Sequence, residues 1–144
     1  MIITYLTVLD DAYFFLNQAN GRPDVPSIRP LLQRYIRACI LSSWIALEET
    51  LDYAIDDLKK SGTPAMLPNR SLRDKIQAVL ELRGAARLDS ALFNETRAIR
   101  NSLVHPTKNT SEDTLLTVEQ ATKVFDFCYQ LIRAIYPYNV TLRN

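Results

Sequence analysis

Cys39-Ile40-Leu41-Ser42-Ser43-Trp44-Ile45-Ala46-Leu47-Glu48-Glu49-Thr50-Leu51-Asp52-Tyr53-Ala54-Ile55-Asp56-Asp57-Leu58 is the stretch on which the fold turns. Within it Ile40, Trp44, Leu47, Leu51, Ala54 and Leu58 follow one another at alternating spacings of four and three residues. A strand would repeat every second residue, whereas these spacings gather the side chains onto one stripe of an α-helix. Such a stripe is a seam for packing another helix. The helix extends from about residue 28 to residue 60, and Gly62 and Pro64 end it.

The same reading applies on both sides of this helix. A first helix is predicted over 3–19, stopping at Asn20-Gly21, and the loop Gly21-Arg22-Pro23-Asp24-Val25-Pro26 is rich in breakers. A third helix, over 70–83, lines up Leu72, Ile76, Val79 and Leu80, with Gly84 as its stop. A fourth, over 88–104, carries Leu88, Leu92, Ile99 and Leu103 as its apolar line, and the polar loop from Pro106 to Thr114 follows. The last, over 118–136, opens on a Thr117/Gln120 capping-box pair and closes before Pro137. Its apolar face includes Val124, Phe125, Cys128, Leu131, Ile132 and Ile135. Helices with one apolar stripe each, joined by short loops, specify an all-α, up-and-down helical bundle of about five helices. No internal repeat, linker or low-complexity tract divides residues 1–144, so they are read as a single domain.

Composition narrows the function. The chain has 144 residues, with 47% hydrophobic and 23% charged, ordinary values for a globular domain. With only three glycines, at 21, 62 and 84, there is no glycine-rich phosphate loop. One histidine and two scattered cysteines, Cys39 and Cys128, leave no zinc-ligand spacing, so no metal or cofactor is expected. Both cysteines fall on apolar stretches and read as buried free thiols. The N-terminal stretch lacks a basic region and is interrupted by Asp10-Asp11. It resembles neither a signal peptide nor a membrane span, and a cytoplasmic location is expected.

The net charge is +1, but it is unevenly spread. Residues 1–69 sum to −2, residues 70–108 to +4 and residues 109–144 to −1. A positive segment of this kind attracts a polyanion. The same charges also serve as solvated helix faces with ion-pair partners, and both readings stand for any single arginine.

Inside the positive segment lies Arg100-Asn101-Ser102-Leu103-Val104-His105-Pro106, which holds the only histidine. Histidine is the side chain whose ordinary pKa lies nearest neutrality, and the arginine guanidinium is a permanent, forked cation suited to phosphate. In a continuing helix Arg100 and His105 would point about 140° apart. The residue before a proline is disfavoured in the α region, so the helix is expected to end near Val104 and to turn His105 out of its line. The helix's last carbonyls would favour a protonated His105. Arg97, one turn before Arg100, and Asn101, beside it, can hydrogen-bond phosphate or sugar, and Lys108 adds a further cation. On the long helix, Glu48 lies one turn past Trp44 and flanks the seam, whereas Glu49 points away from it. A carboxylate joining the site would therefore be Glu48, although a solvent-facing acidic surface explains the same residues. Trp44 itself reads as core.

Arg100-Asn101-Ser102-Leu103-Val104-His105 is similar to the Arg-X4–6-His motif of HEPN-domain proteins, in which a polar residue usually follows the arginine. The resemblance covers most of the chain: a small all-α bundle with the motif at the end of a late helix. It implies a homodimer with the motif at a cleft between subunits. It also implies metal-independent endoribonuclease chemistry, in toxin–antitoxin, phage-defence or RNA-processing systems. Under it Arg100 and His105 are catalytic, Asn101 and Glu48 supporting, and Arg97 and Lys108 RNA-binding. Cleavage would use the RNA 2′-hydroxyl as nucleophile and leave a 2′,3′-cyclic phosphate. The implied partners are RNA, a second copy, and an antitoxin or nucleotidyltransferase-type protein. The competing expectation is a catalytically silent bundle that binds protein, nucleotide or RNA, or that serves as the accessory half of a two-gene system.

Overall fold

The computed structural model describes residues 4–62, 71–104 and 115–136. These residues form five α-helices and, among the described residues, no strand. They are α1 (Thr4–Asn20), α2 (Arg29–Lys60), α3 (Leu72–Leu82), α4 (Ser90–Val104) and α5 (Val118–Ile135). The all-α bundle expected from periodicity is the observed architecture.

Local chemistry sets the helix ends. Pro30 sits in the first turn of α2, where a missing N–H costs nothing. At its far end Ser61 and Gly62 donate their N–H groups to Asp57 O and Lys59 O at 3.2 and 3.1 Å. Gly62 takes the left-handed conformation there, with φ +88. Ser71 caps α3 by accepting from Asp74 N at 3.2 Å. Asp89 Oδ1 accepts from Leu92 N at 3.1 Å and starts α4. Thr117 and Gln120 form the reciprocal capping box of α5.

α2 is the central element. Its Ile40, Trp44, Leu47, Leu51 and Ala54 are buried as the seam requires, while Leu58, the last member of the stripe, is half-buried near the helix end. Each fully buried large apolar side chain contributes about 1.5–3 kcal/mol relative to exposure. Helix α5 lies along α2 in parallel. Gln33 Nε2 donates to Leu116 O at 2.7 Å at one end. The rings of Trp44 and Phe127 are 6.2 Å apart midway, and those of Tyr53 and Tyr136 are 5.7 Å apart at the other end. Helix α1 runs against both, pairing Tyr5 with Tyr53 and Tyr136, Tyr13 with Phe125, and Phe15 with Tyr35. The shorter α3 and α4 span the connection that lets α5 return beside α2 in the same direction.

Among the described residues, three serine and threonine side chains are buried without breaking the helices. Ser43, Thr50 and Thr96 donate to the carbonyls four residues earlier, Cys39 O, Ala46 O and Leu92 O, at 2.7, 2.7 and 2.9 Å. Cys39 and Cys128 are buried free thiols, as expected. Burial pushes the Cys39 thiol up to about 12 and holds that of Cys128 well above the ordinary range. Among the described residues no helix is long and apolar enough to cross a membrane.

Candidate functional site

Helix α4 is placed by its inner face. Phe93 is fully buried against Trp44 and Phe127, with ring centroids 6.0 and 6.3 Å away. Thr96 is buried one turn on, and Ile99 and Leu103 are half-buried beyond it. With this face anchored, each later residue has a fixed direction, because a helix turns about 100° per residue. Arg100 emerges at one edge of the buried stripe, toward α2. Glu95, about 140° away around the helix, emerges at the other edge and meets Lys123 of α5 at 2.6 Å.

The Arg100 guanidinium lies between two partners. Its Nη2 is 3.7 Å from Glu48 Oε1, and its Nη1 donates to Asn101 Oδ1 at 3.1 Å. Glu48 reaches it because α2 presents that carboxylate one turn after Trp44, on the flank of the packed seam. The Arg100 and Glu48 side chains are 31% and 45% exposed, so the pair sits at the surface and is open to a ligand. An ion pair this wet contributes about 1 kcal/mol or less to stability. It does hold the guanidinium in place, and the five N–H donors of arginine leave several free for an anion.

The structure thus brings Arg100, Asn101 and Glu48 together. Arg97 stands one turn before Arg100, exposed, with its guanidinium 6.0 Å from the Phe93 ring centroid. Helix α4 is described as far as Val104, and the expectation that Pro106 ends it there and turns His105 out of its line falls outside the described residues. His105 and Lys108 lie outside the described residues. Trp44 is 2% exposed and belongs to the core. Glu49, expected to point away from the seam, is half-buried, with Oε2 out of solvent and without a hydrogen bond among the described residues. Among the described residues no three histidine, cysteine, aspartate or glutamate side chains cluster to hold a metal.

Among the described residues, the cations of the positive segment do not form one continuous surface. Arg73 donates to Ser90 Oγ at 2.7 Å. Arg83 pairs with Asp57 at 3.4 Å and lies 4.9 Å over the Tyr136 ring. These two act as struts between elements. Arg87 lines a groove beside α5, and among the described residues Arg97 and Arg100 stand at the candidate site. The charge count along the chain reports position in sequence, and the helices distribute those charges around the molecule.

That groove, of about 890 Å³, runs between α5, the α3–α4 connection and the first turn of α4. No motif or spacing in the sequence singles it out. The signal lay in Asp126, a carboxylate immediately before the buried Phe127 on a strongly amphipathic helix. Matched against models of known families, against curated proteins and against solved structures, the chain finds no counterpart.

Proposed function

We propose that the protein is a metal-independent endoribonuclease of the HEPN type, acting as a homodimer on RNA in a toxin, phage-defence or RNA-processing setting. The observation that carries this reading is the Arg100 cluster. The arginine of the Arg-X4-His motif meets Glu48, the carboxylate singled out for it, and Asn101, its polar neighbour. Those contacts orient the cation and leave it reachable from solvent.

In the reaction, the 2′-oxygen of a nucleotide attacks the adjacent phosphorus. A bond forms from that oxygen to phosphorus, and the bond from phosphorus to the 5′-oxygen breaks. The products are a 2′,3′-cyclic phosphate and a 5′-hydroxyl. His105 takes the proton from the 2′-hydroxyl or delivers one to the 5′-oxygen, a role worth about 10²–10⁴-fold. Arg100 stabilises negative charge gathering on the non-bridging oxygens. Glu48 and Asn101 position Arg100, and Arg97 and Lys108 hold flanking phosphates. DNA lacks the nucleophile and is not a substrate.

The open face of α2 supports the dimer. Ile45 is 46% exposed, among the half-buried Ala38, Leu41 and Ser42 on the turns before it. Glu48 lies one turn further along. A second copy seated on this face would bring two Arg100–Glu48 pairs to one cleft.

The experiment is incubation of the protein and its His105→Ala variant with structured RNA in excess EDTA, with mapping of the new ends. Cleavage by the parent protein alone, leaving cyclic phosphate ends, is the expected result. Absence of cleavage by either protein would reject the enzyme reading and leave a binding or accessory role. Equal cleavage by both would reject the assignment of His105.

A further inference from the structure

The groove beside α5 calls for an occupant of its own. Its lining on α5 extends from Val118 to Ala134, about 24 Å at a rise of 1.5 Å per residue. Leu80, Leu88, Leu92, Phe127 and Leu131 supply its apolar floor. A trough of this length and character matches one face of a four- to five-turn helix. It is also separate from the Arg100 cluster. Glu95 reaches α5 from one edge of α4, whereas Arg100 reaches α2 from the other.

The charges along its walls are unequal in their commitments. Lys123 is bound to Glu95 at 2.6 Å, and Asp89 is used as the cap of α4. Glu119 and Asp126 have no ion-pair partner among the described residues, and neither has Arg87 on the facing wall. Glu119 and Asp126 are seven residues apart, two turns of α5 and about 10.5 Å along its axis. Desolvation by the groove wall raises the Asp126 carboxyl from its ordinary value, although the residue as a whole stays exposed. A polyanion such as RNA would meet repulsion on this wall.

We propose that this groove docks an amphipathic helix of a partner protein, with an apolar face on the Leu88–Leu92–Phe127–Leu131 floor, two basic residues seven positions apart against Glu119 and Asp126, and an acidic residue toward Arg87. The site is independent of ribonuclease activity, so it stands or falls by itself.

The test uses the full-length protein, isotopically labelled, and two synthetic 16-residue helical peptides. Both carry the same leucine face. One has lysine at two flank positions seven residues apart, and the other has glutamate there. The lysine peptide is expected to bind and to shift amide resonances of residues 86–92 and 118–134. The glutamate peptide is expected to bind about 5-fold or more weakly, the size of two exposed ion pairs. The exposed double variant Glu119→Lys/Asp126→Lys, with unchanged far-ultraviolet circular dichroism, is expected to invert the preference. Failure of both peptides to bind at millimolar concentration would overturn the proposal. So would equal affinities that the double variant leaves unchanged, or resonance shifts centred elsewhere. Displacement of the peptide by an RNA oligonucleotide would reassign the groove to RNA. A change of oligomeric state in the double variant would reassign it to a second copy of the chain.

Discussion

Arg100 and Glu48 meet in a surface contact with little folding energy at stake. Their separation of 3.7 Å at the surface contributes about 1 kcal/mol or less to folding, so the pair's value is in orientation. Arg100→Lys is expected to lower RNA cleavage by about 10²-fold or more, because an ammonium cannot reproduce the forked donor set. Glu48→Gln is expected to lower cleavage about 10-fold and to change urea stability by about 1 kcal/mol or less. Steady-state cleavage of a defined RNA beside urea unfolding checks both, and a multi-kcal/mol stability loss in Glu48→Gln would assign that residue to the scaffold instead. Tyr136 makes a separate prediction. Burial first, and then the Asp57 carboxylate, push its phenol up to about 12 from an ordinary 10, against the lowering effect of Arg83. The folded state therefore holds this proton more tightly than the unfolded chain. The associated stability is fully present below about pH 10 and is lost as pH rises through about 12. Tyr136→Phe is expected to flatten that alkaline fall, seen as a smaller drop in urea midpoint from about pH 9 to about pH 11.

At the scale of elements, helix ends follow chemistry that is written locally. Thr117→Ala removes the side-chain acceptor of the α5 capping box and is expected to cost about 1 kcal/mol of stability by thermal or urea unfolding. Gly84, with φ +68, terminates α3, and a Cβ built there meets nothing within 4 Å. Gly84→Ala should therefore cost about 1–2 kcal/mol, all of it backbone strain. A stabilised Gly84→Ala protein would refute that account. Because capping and hydrophobic period act within a turn or two, the element boundaries were legible in sequence. The partners of each element were not. Nothing local says that Gln33 pairs with Leu116 O, or that α5 lies parallel to α2.

For the whole molecule, the open α2 face carries the dimer prediction. Ile45→Glu places a charge on the exposed apolar centre of that face without touching the buried seam. It is expected to convert a dimer to a monomer in sedimentation velocity and to abolish RNA cleavage in the same preparation. A variant that stays dimeric and fully active would remove this face from the interface. Of the six residues that the sequence offers for the site, Arg100, Asn101 and Glu48 come into contact, Arg97 stands one turn away, and His105 and Lys108 lie outside the described residues. Glu48 could be singled out because a residue one turn past Trp44 must flank a stripe that contains Trp44. The groove at α5 was not legible, since its two walls come from residues 80–92 and 118–134, whose approach depends on how α3 and α4 cross the bundle.

The sequence by itself determined the helical class, the approximate spans of the helices within the described residues, the burial of Trp44 and the thiols, and the edge position of Arg100. These follow from periodicity, capping and proline or glycine stops, which act over a few residues. The tertiary structure alone decided that Arg100 meets Glu48 across helices and that the described cations of residues 71–104 part company. It also decided that a long apolar groove with an acidic wall opens beside α5. Those outcomes depend on packing between segments far apart in the chain, where the angle at which one helix crosses another determines which side chains share a surface.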